Sequence, residues 1–79
     1  MKVYKVLAKF DPDANVWFIY KSDVPGLHVE AKSLDELRKE LDSAIPYLLE
    51  DAVKNSRNSP CSVPVELLFQ EQKTIAIGC

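Results

Sequence analysis

The sequence Lys21-Ser-Asp-Val-Pro-Gly-Leu-His-Val-Glu-Ala-Lys-Ser-Leu-Asp-Glu-Leu37 predicts a turn, a short strand and the start of a helix, in that order. Pro25-Gly26 favours a tight turn, because proline fixes φ and glycine accepts a positive φ. Residues 27–32 alternate between apolar and polar side chains, which predicts a strand with one wet face. Ser33-Leu-Asp-Glu36 has the spacing of a capping box, in which the serine hydroxyl accepts a hydrogen bond from the glutamate amide.

A long amphipathic helix is predicted from residue 34 to about residue 53, because apolar side chains recur there at spacings of three and four. Pro46 removes one backbone hydrogen bond and should bend the helix or begin a second segment. Ile45, Leu49 and Val53 form a second apolar row beside the first. One sheet face cannot easily cover both rows, so we expect C-terminal strands or another subunit to cover the second one.

Strands are predicted on both sides of this segment. Residues 2–10 alternate as a half-buried strand, and residues 16–20 are β-branched and aromatic on both faces. The turn between them, residues 11–15, contains a proline and an asparagine that tolerates a left-handed conformation. Residues 63–69 predict a fourth strand. Residues 74–78 predict an optional fifth strand, forming a hairpin with the fourth.

These elements predict one α+β domain over residues 1–79, with the order β-β-β-α-β and an optional last strand. The first three strands form an antiparallel meander, and the fourth runs parallel to the first, giving the strand order 3-2-1-4. The helix then covers one sheet face. The opposite face carries either Trp17 and Ile19 or Phe18 and Tyr20, depending on register. An uncovered apolar face of this kind predicts an interface.

Composition and charge narrow the classes of function. The net charge is −2, with no basic stripe, so direct nucleic-acid binding is not expected. Residues 33–54 carry six acidic and three basic side chains, a net −3, so the helix could face a basic protein or simply solvent. No apolar run approaches the ~20 residues of a transmembrane helix, and residues 1–5 show no signal-peptide pattern. We therefore expect a cytoplasmic protein without membrane contact.

The sequence predicts no catalytic, cofactor-binding or metal-binding residues. Cys61 and Cys79 lack the spacing of a zinc or redox site, and the single histidine, His28, is distant in sequence. We interpret the cysteines as free thiols, although spacing alone leaves a disulfide open.

The turn after Phe10, the aromatic strand 16–20, Asp23-Val-Pro-Gly26 and the helix start at Ser33-Leu-Asp-Glu36 resemble the HicB-like family of small bacterial proteins. The resemblance covers about residues 3–53 and implies a partial RNase H-like fold. It also implies a partner-binding role, because family members that act as antitoxins bind HicA, a small basic RNA-cleaving toxin. Since residues 74–78 are strand-like, we do not expect the DNA-binding segment that many members carry. RNase H-like catalysis is not expected, since the predicted strands supply only Glu30 and Glu66 as acidic residues.

We therefore predict a non-enzymatic protein–protein interaction domain that forms a homo-oligomer and resembles the short stand-alone members of the HicB-like family. A HicA-like toxin is a further candidate partner. The alternative is a small-molecule-binding or regulatory module. The predicted interface residues are Trp17 and Ile19 on the sheet and Ile45, Leu49 and Val53 on the helix.

Overall fold

A computed structural model describes the backbone of residues 3–54 and 62–78, and the side chains of residues 3–50 and 62–78. The elements are β1 (Tyr4–Asp11), β2 (Val16–Ser22), β3 (Glu30–Ala31), α1 (Leu34–Lys54) and β4 (Val65–Gln70). They form one mixed sheet with the order β3-β2-β1-β4. β2 is antiparallel to both β1 and β3, while β4 is parallel to β1. The predicted α+β class, strand order and strand directions are thus confirmed.

The hydrophobic core lies between α1 and one face of the sheet. Val6 and Ala8 of β1 are each 1% exposed, and Leu37 and Leu41 of α1 are 0% and 1% exposed. From β4, three half-buried side chains pack against this core: Val65, Leu67 and Phe69. Their positions alternate with exposed ones, as expected for a strand with one buried face.

The helix starts and continues as the sequence predicts. The Ser33 hydroxyl accepts a hydrogen bond from the Glu36 amide at 3.2 Å, which satisfies one of the free amides of the first turn. α1 then runs through Pro46 to Lys54 as a single helix. The expectation of one long helix is confirmed, and no separate segment begins at the proline.

The turn between β1 and β2 holds these two strands in register. Asn15 has φ 58°, and its amide donates to the Asp11 carbonyl at 2.7 Å. The Asp11 carboxylate also accepts from the Asp13 amide at 3.0 Å, forming an Asx turn. The left-handed asparagine predicted for this turn is therefore present.

The Asp23-Val-Pro-Gly26 segment links β2 to the core. The Asp23 amide donates to the Lys5 carbonyl, and the Asp23 carboxylate accepts from the Lys5 amide, both at 2.9 Å. Asp23 thereby extends the β1–β2 pairing beyond the end of β2. Val24 and Leu27 are then buried, at 2% and 5% exposure, and Gly26 between them has φ 74°. This segment serves packing and chain direction.

Two predicted strands differ from the structure. β3 pairs only at Glu30–Ala31 rather than over residues 27–32, although Leu27 is buried in the core. The optional fifth strand is not formed: residues 71–78 have no strand structure and are exposed. The connection Glu71-Gln72-Lys73 contains none of the residues that favour a tight hairpin turn, such as glycine, asparagine, aspartate or proline.

Candidate protein-binding surface

A β-bulge decides which side chains of β2 face the helix. Leu7 pairs with Lys21, but the next residue, Ala8, pairs with Ile19, so Tyr20 is an extra residue in β2. Ile19 therefore shares the helix-facing side with Ala8. Tyr20 and Lys21 are both exposed. Of the two registers open from sequence, the structure has the one that places Phe18 and Tyr20 away from α1.

The side of the sheet opposite α1 is called here the open sheet face, because no described element covers it. The alternation of β1 and β4 and the bulge in β2 determine which side chains lie on this face. Its apolar centre has two exposed residues, Tyr20 at 57% and Leu68 at 46%. The face includes Lys5, Leu7, Lys9, Phe18, Tyr20, Lys21, Glu66, Leu68 and Gln70.

The aromatic part of the open sheet face is ordered by contacts within it. The Phe18 and Tyr20 rings lie 6.5 Å apart at 73°, an edge-to-face arrangement that aromatic pairs prefer. The Lys9 ammonium lies 3.6 Å from the centre of the Tyr20 ring, a cation–π contact worth about 0.5–1 kcal/mol at an exposed site. These contacts hold Tyr20 against the sheet, so the face offers a preformed apolar surface.

Charge on the open sheet face is mixed in sign. Lys5 and Glu66 occupy paired positions on β1 and β4, and Leu7 and Leu68 pair next to them. Both signs therefore lie close to the apolar centre. A surface with this pattern can match a second copy of itself, because Lys5 of one copy can meet Glu66 of the other.

A groove of about 600 Å3 runs between α1 and β4 on the other side of the sheet. Its polar rim includes Asp42, Glu50 and Ser62. Its apolar lining consists of Leu41, Ile45, Pro46, Leu49, Val63, Val65 and Leu67. The second apolar row of the helix thus borders β4 across this groove.

The two sheet residues of the predicted interface, Trp17 and Ile19, lie on the side of the sheet that faces α1. Trp17 is 7% exposed and lies 5.4 Å from Phe10 and 6.3 Å from Phe69, measured between ring centres. Ile19 is half-buried against the core.

The helix members of the predicted set line the groove. Ile45 and Leu49 are 8% and 3% exposed, while the Val53 side chain lies outside the described residues. An interface role for these residues stays a prediction.

Sequence reasoning missed Leu7 and Leu68 as surface residues. A signal for Leu68 exists in Val65-Glu-Leu-Leu-Phe-Gln70, where an apolar residue takes a position that alternation assigns to solvent. Leu7 breaks the alternation of β1 in the same way, between Lys5 and Lys9. Since Leu7 and Leu68 are paired neighbours, the two departures from alternation together mark one apolar patch.

No group of three or more His, Cys, Asp or Glu side chains is placed to hold a metal ion among the described residues. The described helix is not apolar enough over its length to cross a membrane.

Comparison with known proteins gives the family of the chain. Residues 3–77 match the family described as Domain of unknown function (DUF1902). The chain belongs to the DUF1902 family. A UPF0150 protein of Thermotoga maritima is 31% identical to this DUF1902 chain over 51 residues, which cover 65% of the chain and 68% of that relative.

A solved structure supports the fold of this DUF1902 chain. The crystal structure of a hypothetical protein from the extremely thermophilic bacterium Thermus thermophilus matches with a TM-score of 0.62 and 35% identity. The match covers 96% of this chain and 100% of that one. Neither relative's name states an activity, so these likenesses establish family and fold.

Proposed function

We propose that this DUF1902 chain is a non-enzymatic protein-binding domain that self-associates through the open sheet face. The observation that carries the proposal is the uncovered apolar centre formed by Leu7, Phe18, Tyr20 and Leu68. A domain of 79 residues buries only about 60% of its unfolded surface, so it gains more from covering such a face than a larger domain would. Two faces of this kind pack at about 10 Å, as in β-sandwiches.

The mixed charges on the face favour a second copy over a strongly charged partner. In a symmetric dimer, Lys5 of one copy can meet Glu66 of the other, and the contact occurs twice. Such exposed pairs add little affinity, about 0–1 kcal/mol each, but they fix orientation. The affinity then comes from burying Tyr20 and Leu68, at about 25 cal/mol per Å2 of apolar surface.

A second candidate partner is a small basic protein, as the HicB-like resemblance implies. The acidic side chains of α1 whose exposure is described are all exposed, and they comprise Asp35, Glu36, Glu40, Asp42 and Glu50. A basic toxin of the HicA type would meet this helix surface with complementary charge, and its association rate would fall as salt is added. An antitoxin role would leave the open sheet face available for self-association. A cytoplasmic location stays a prediction.

The rival small-molecule role is favoured by the groove between α1 and β4. Its volume of about 600 Å3 lies within the ~300–1,000 Å3 typical of ligand sites. Ligand sites also need a few convergent polar groups, which here would be Asp42, Glu50 and Ser62 on the rim. Saturable stabilisation of the protein by a metabolite would support this role, because a ligand that binds only the folded state raises the melting temperature.

The test of self-association uses two tyrosines with the same substitution. Tyr20→Lys places a charge in the open sheet face, and Tyr47→Lys places the same charge on α1, where Tyr47 is 77% exposed. Sedimentation equilibrium of the wild type should give a dimer or a larger symmetric oligomer. We expect Tyr20→Lys to lower this mass and Tyr47→Lys to leave it unchanged. Equal masses for all three proteins, or a wild-type monomer at every concentration, would refute the proposal.

A further inference from the structure

We propose that two copies of this DUF1902 chain pair the outer edges of β4 antiparallel, about a twofold axis at Leu67, and so join their two sheets into one. The partner at this edge is the same strand of a second copy. The contact uses the edge of the sheet rather than the open sheet face, so the two contacts can be tested separately. The edge of β4 thus gives the chain a second self-association surface beyond the open sheet face.

The outer edge of β4 has no partner within the described part of the chain. β4 is the last strand in the order β3-β2-β1-β4 and pairs only with β1. Because the Tyr4 amide donates to the Pro64 carbonyl, the parallel ladder uses the backbone groups of the even-numbered residues of β4. The N–H and C=O groups of Val65, Leu67 and Phe69 therefore point away from β1. Among the backbone hydrogen bonds of the described residues, none satisfies these outward groups.

The edge of β4 also lacks the features that usually block strand pairing. Natural edge strands are protected by lysine, proline, bulges or shortness. Val65–Gln70 contains no lysine or proline, and it pairs with β1 along its whole length without a register shift. At the opposite edge of the sheet, β3 consists only of Glu30–Ala31, so shortness protects that side. β4 is therefore the edge of this sheet that can accept another strand.

β4 is complementary to itself when a second copy is turned antiparallel about Leu67. In an antiparallel pair, opposite residues whose backbone groups point inward exchange both N–H···O bonds. Leu67 then pairs with its own counterpart, and Val65 of each copy pairs with Phe69 of the other. Every outward N–H and C=O group of β4 gains a partner in this register. A twofold axis makes the contact isologous, so no further copy is needed to close it.

Side chains on the helix-facing side also match in this register. Opposite residues of an antiparallel pair point to the same face, so both copies of α1 lie on one side of the joined sheet. On that side Val65, Leu67 and Phe69 are only half-buried in one copy, and a groove separates β4 from α1. The second copy places a matching apolar row beside them. Val65 opposite Phe69 is a β-branched–aromatic pair of the kind that stabilises sheets.

Joining the two sheets also enlarges the open sheet face. Three strands by seven residues give one copy about 330 Å2 of flat area, which is small beside the ~800 Å2 per partner of a stable interface. In the joined sheet the two open faces are continuous and present about twice the area of one. Two joined sheets that stack through these faces form a tetramer, in which every copy makes both contacts.

The first test is amide hydrogen exchange of the wild-type protein, followed residue by residue by nuclear magnetic resonance. Pairing protects the outward amides of Val65, Leu67 and Phe69. Their exchange should slow at least about tenfold as the protein concentration is raised through the dimer dissociation constant. The amides of Glu66 and Leu68 donate to β1, so they should be protected at every concentration and serve as the matched control.

Two results of this experiment would overturn the edge contact. Stacking through the open sheet face alone leaves the β4 edge in water. Outward amides that exchange as fast as unpaired ones at every concentration therefore overturn the edge contact and leave the proposed function standing. Outward amides that are protected in a protein of monomer mass have a partner within the same chain, and this result overturns the edge contact as well.

The second test fixes the register with a disulfide between copies. In a background with both Cys61→Ser and Cys79→Ser, one protein carries Glu66→Cys and another carries Leu68→Cys. Both side chains are exposed, so circular dichroism of the two variants should match that of the wild type. In the proposed register residue 66 of one copy lies opposite residue 68 of the other, with Cα atoms about 4.5 Å apart. This distance suits a disulfide, which needs roughly 4.4–6.8 Å.

Mild oxidation of an equimolar mixture should give mainly the mixed disulfide. Each protein alone should give little dimer, because diagonal neighbours across a strand pair lie about 7–8 Å apart. Stacked sheets lie about 10 Å apart, so contact through the open sheet face does not bring these positions within disulfide distance. A mixed disulfide no more abundant than the two symmetric products together, or no disulfide at all, would overturn the proposed pairing.

Discussion

Replacing Gly26 by alanine isolates the conformational requirement of the segment that directs the chain from β2 into the core. Gly26 has φ 74°, and a Cβ built there lies 3.7 Å from the Leu48 Cδ2 atom, which is an ordinary van der Waals distance. Steric overlap therefore adds no cost. A left-handed conformation costs a non-glycine residue about 1–2 kcal/mol. Alanine also lowers the conformational entropy of the unfolded chain, which raises the free energy of unfolding by about 0.4–1 kcal/mol.

The difference predicts that Gly26→Ala lowers the free energy of unfolding by about 0.5–1 kcal/mol. For a domain of this size the melting temperature should fall by about 2–8 °C. Gly26→Asn should cost less, since asparagine tolerates the left-handed region. The assay is urea unfolding at low protein concentration, followed by Trp17 fluorescence.

The second glycine supplies a matched control for this prediction. Gly78 has no atom within 4 Å of a built Cβ and no positive φ, so Gly78→Ala should be neutral or slightly stabilising. If Gly26→Ala were as stable as the wild type, the positive φ would not be a requirement of the turn. If Gly26→Ala and Gly26→Asn were equally destabilised, steric fit rather than backbone conformation would be the cause.

Three other substitutions test separate parts of the fold by urea unfolding. Ser33→Ala should cost about 0.5–2 kcal/mol, because the Glu36 amide loses its cap, and Ser33→Asp should retain stability. Leu37→Ala should cost about 2–5 kcal/mol, since the side chain is 0% exposed, and a cost below about 1 kcal/mol would contradict its place in the core. Asp23→Ala should cost about 0.5–1.5 kcal/mol through the lost bond from the Lys5 amide. Asp23→Asn keeps an acceptor, and a loss equal to that of the alanine variant would exclude this role.

Much of the fold was predictable because short-range signals agree with one another. The capping serine, the alternation of β1 and the left-handed Asn15 each depend on neighbours within a few residues. Short turns fix an antiparallel meander, and the helical crossover then requires β4 to run parallel to β1. The strand order followed from these constraints without any knowledge of side-chain packing.

The orientation of β2 was not predictable, because residues 16–20 are apolar on both faces and give no alternation to read. The bulge at Tyr20 depends on how β1 and β2 pair, a non-local contact that leaves no local pattern. It determines that Trp17 faces α1 while Phe18 and Tyr20 lie on the open sheet face. A one-residue difference in register exchanges the two sets, which is why the sequence left both choices open.

The predicted fifth strand shows a second limit of predicting structure from sequence. Residues 74–78 have the composition of a strand, but a strand also needs a partner within reach. The connection before them lacks turn-forming residues, so the composition is that of a strand but no strand is assigned there.

The central claim, self-association through the open sheet face, is tested most directly by isotope-filtered nuclear Overhauser spectroscopy on a mixture of carbon-13-labelled and unlabelled protein. Only contacts between copies give signals in this experiment. We predict intermolecular signals from the methyl groups of Leu7 and Leu68 to the rings of Phe18 and Tyr20. An oligomer whose intermolecular signals arise only from α1 residues such as Tyr47 would contradict the claim.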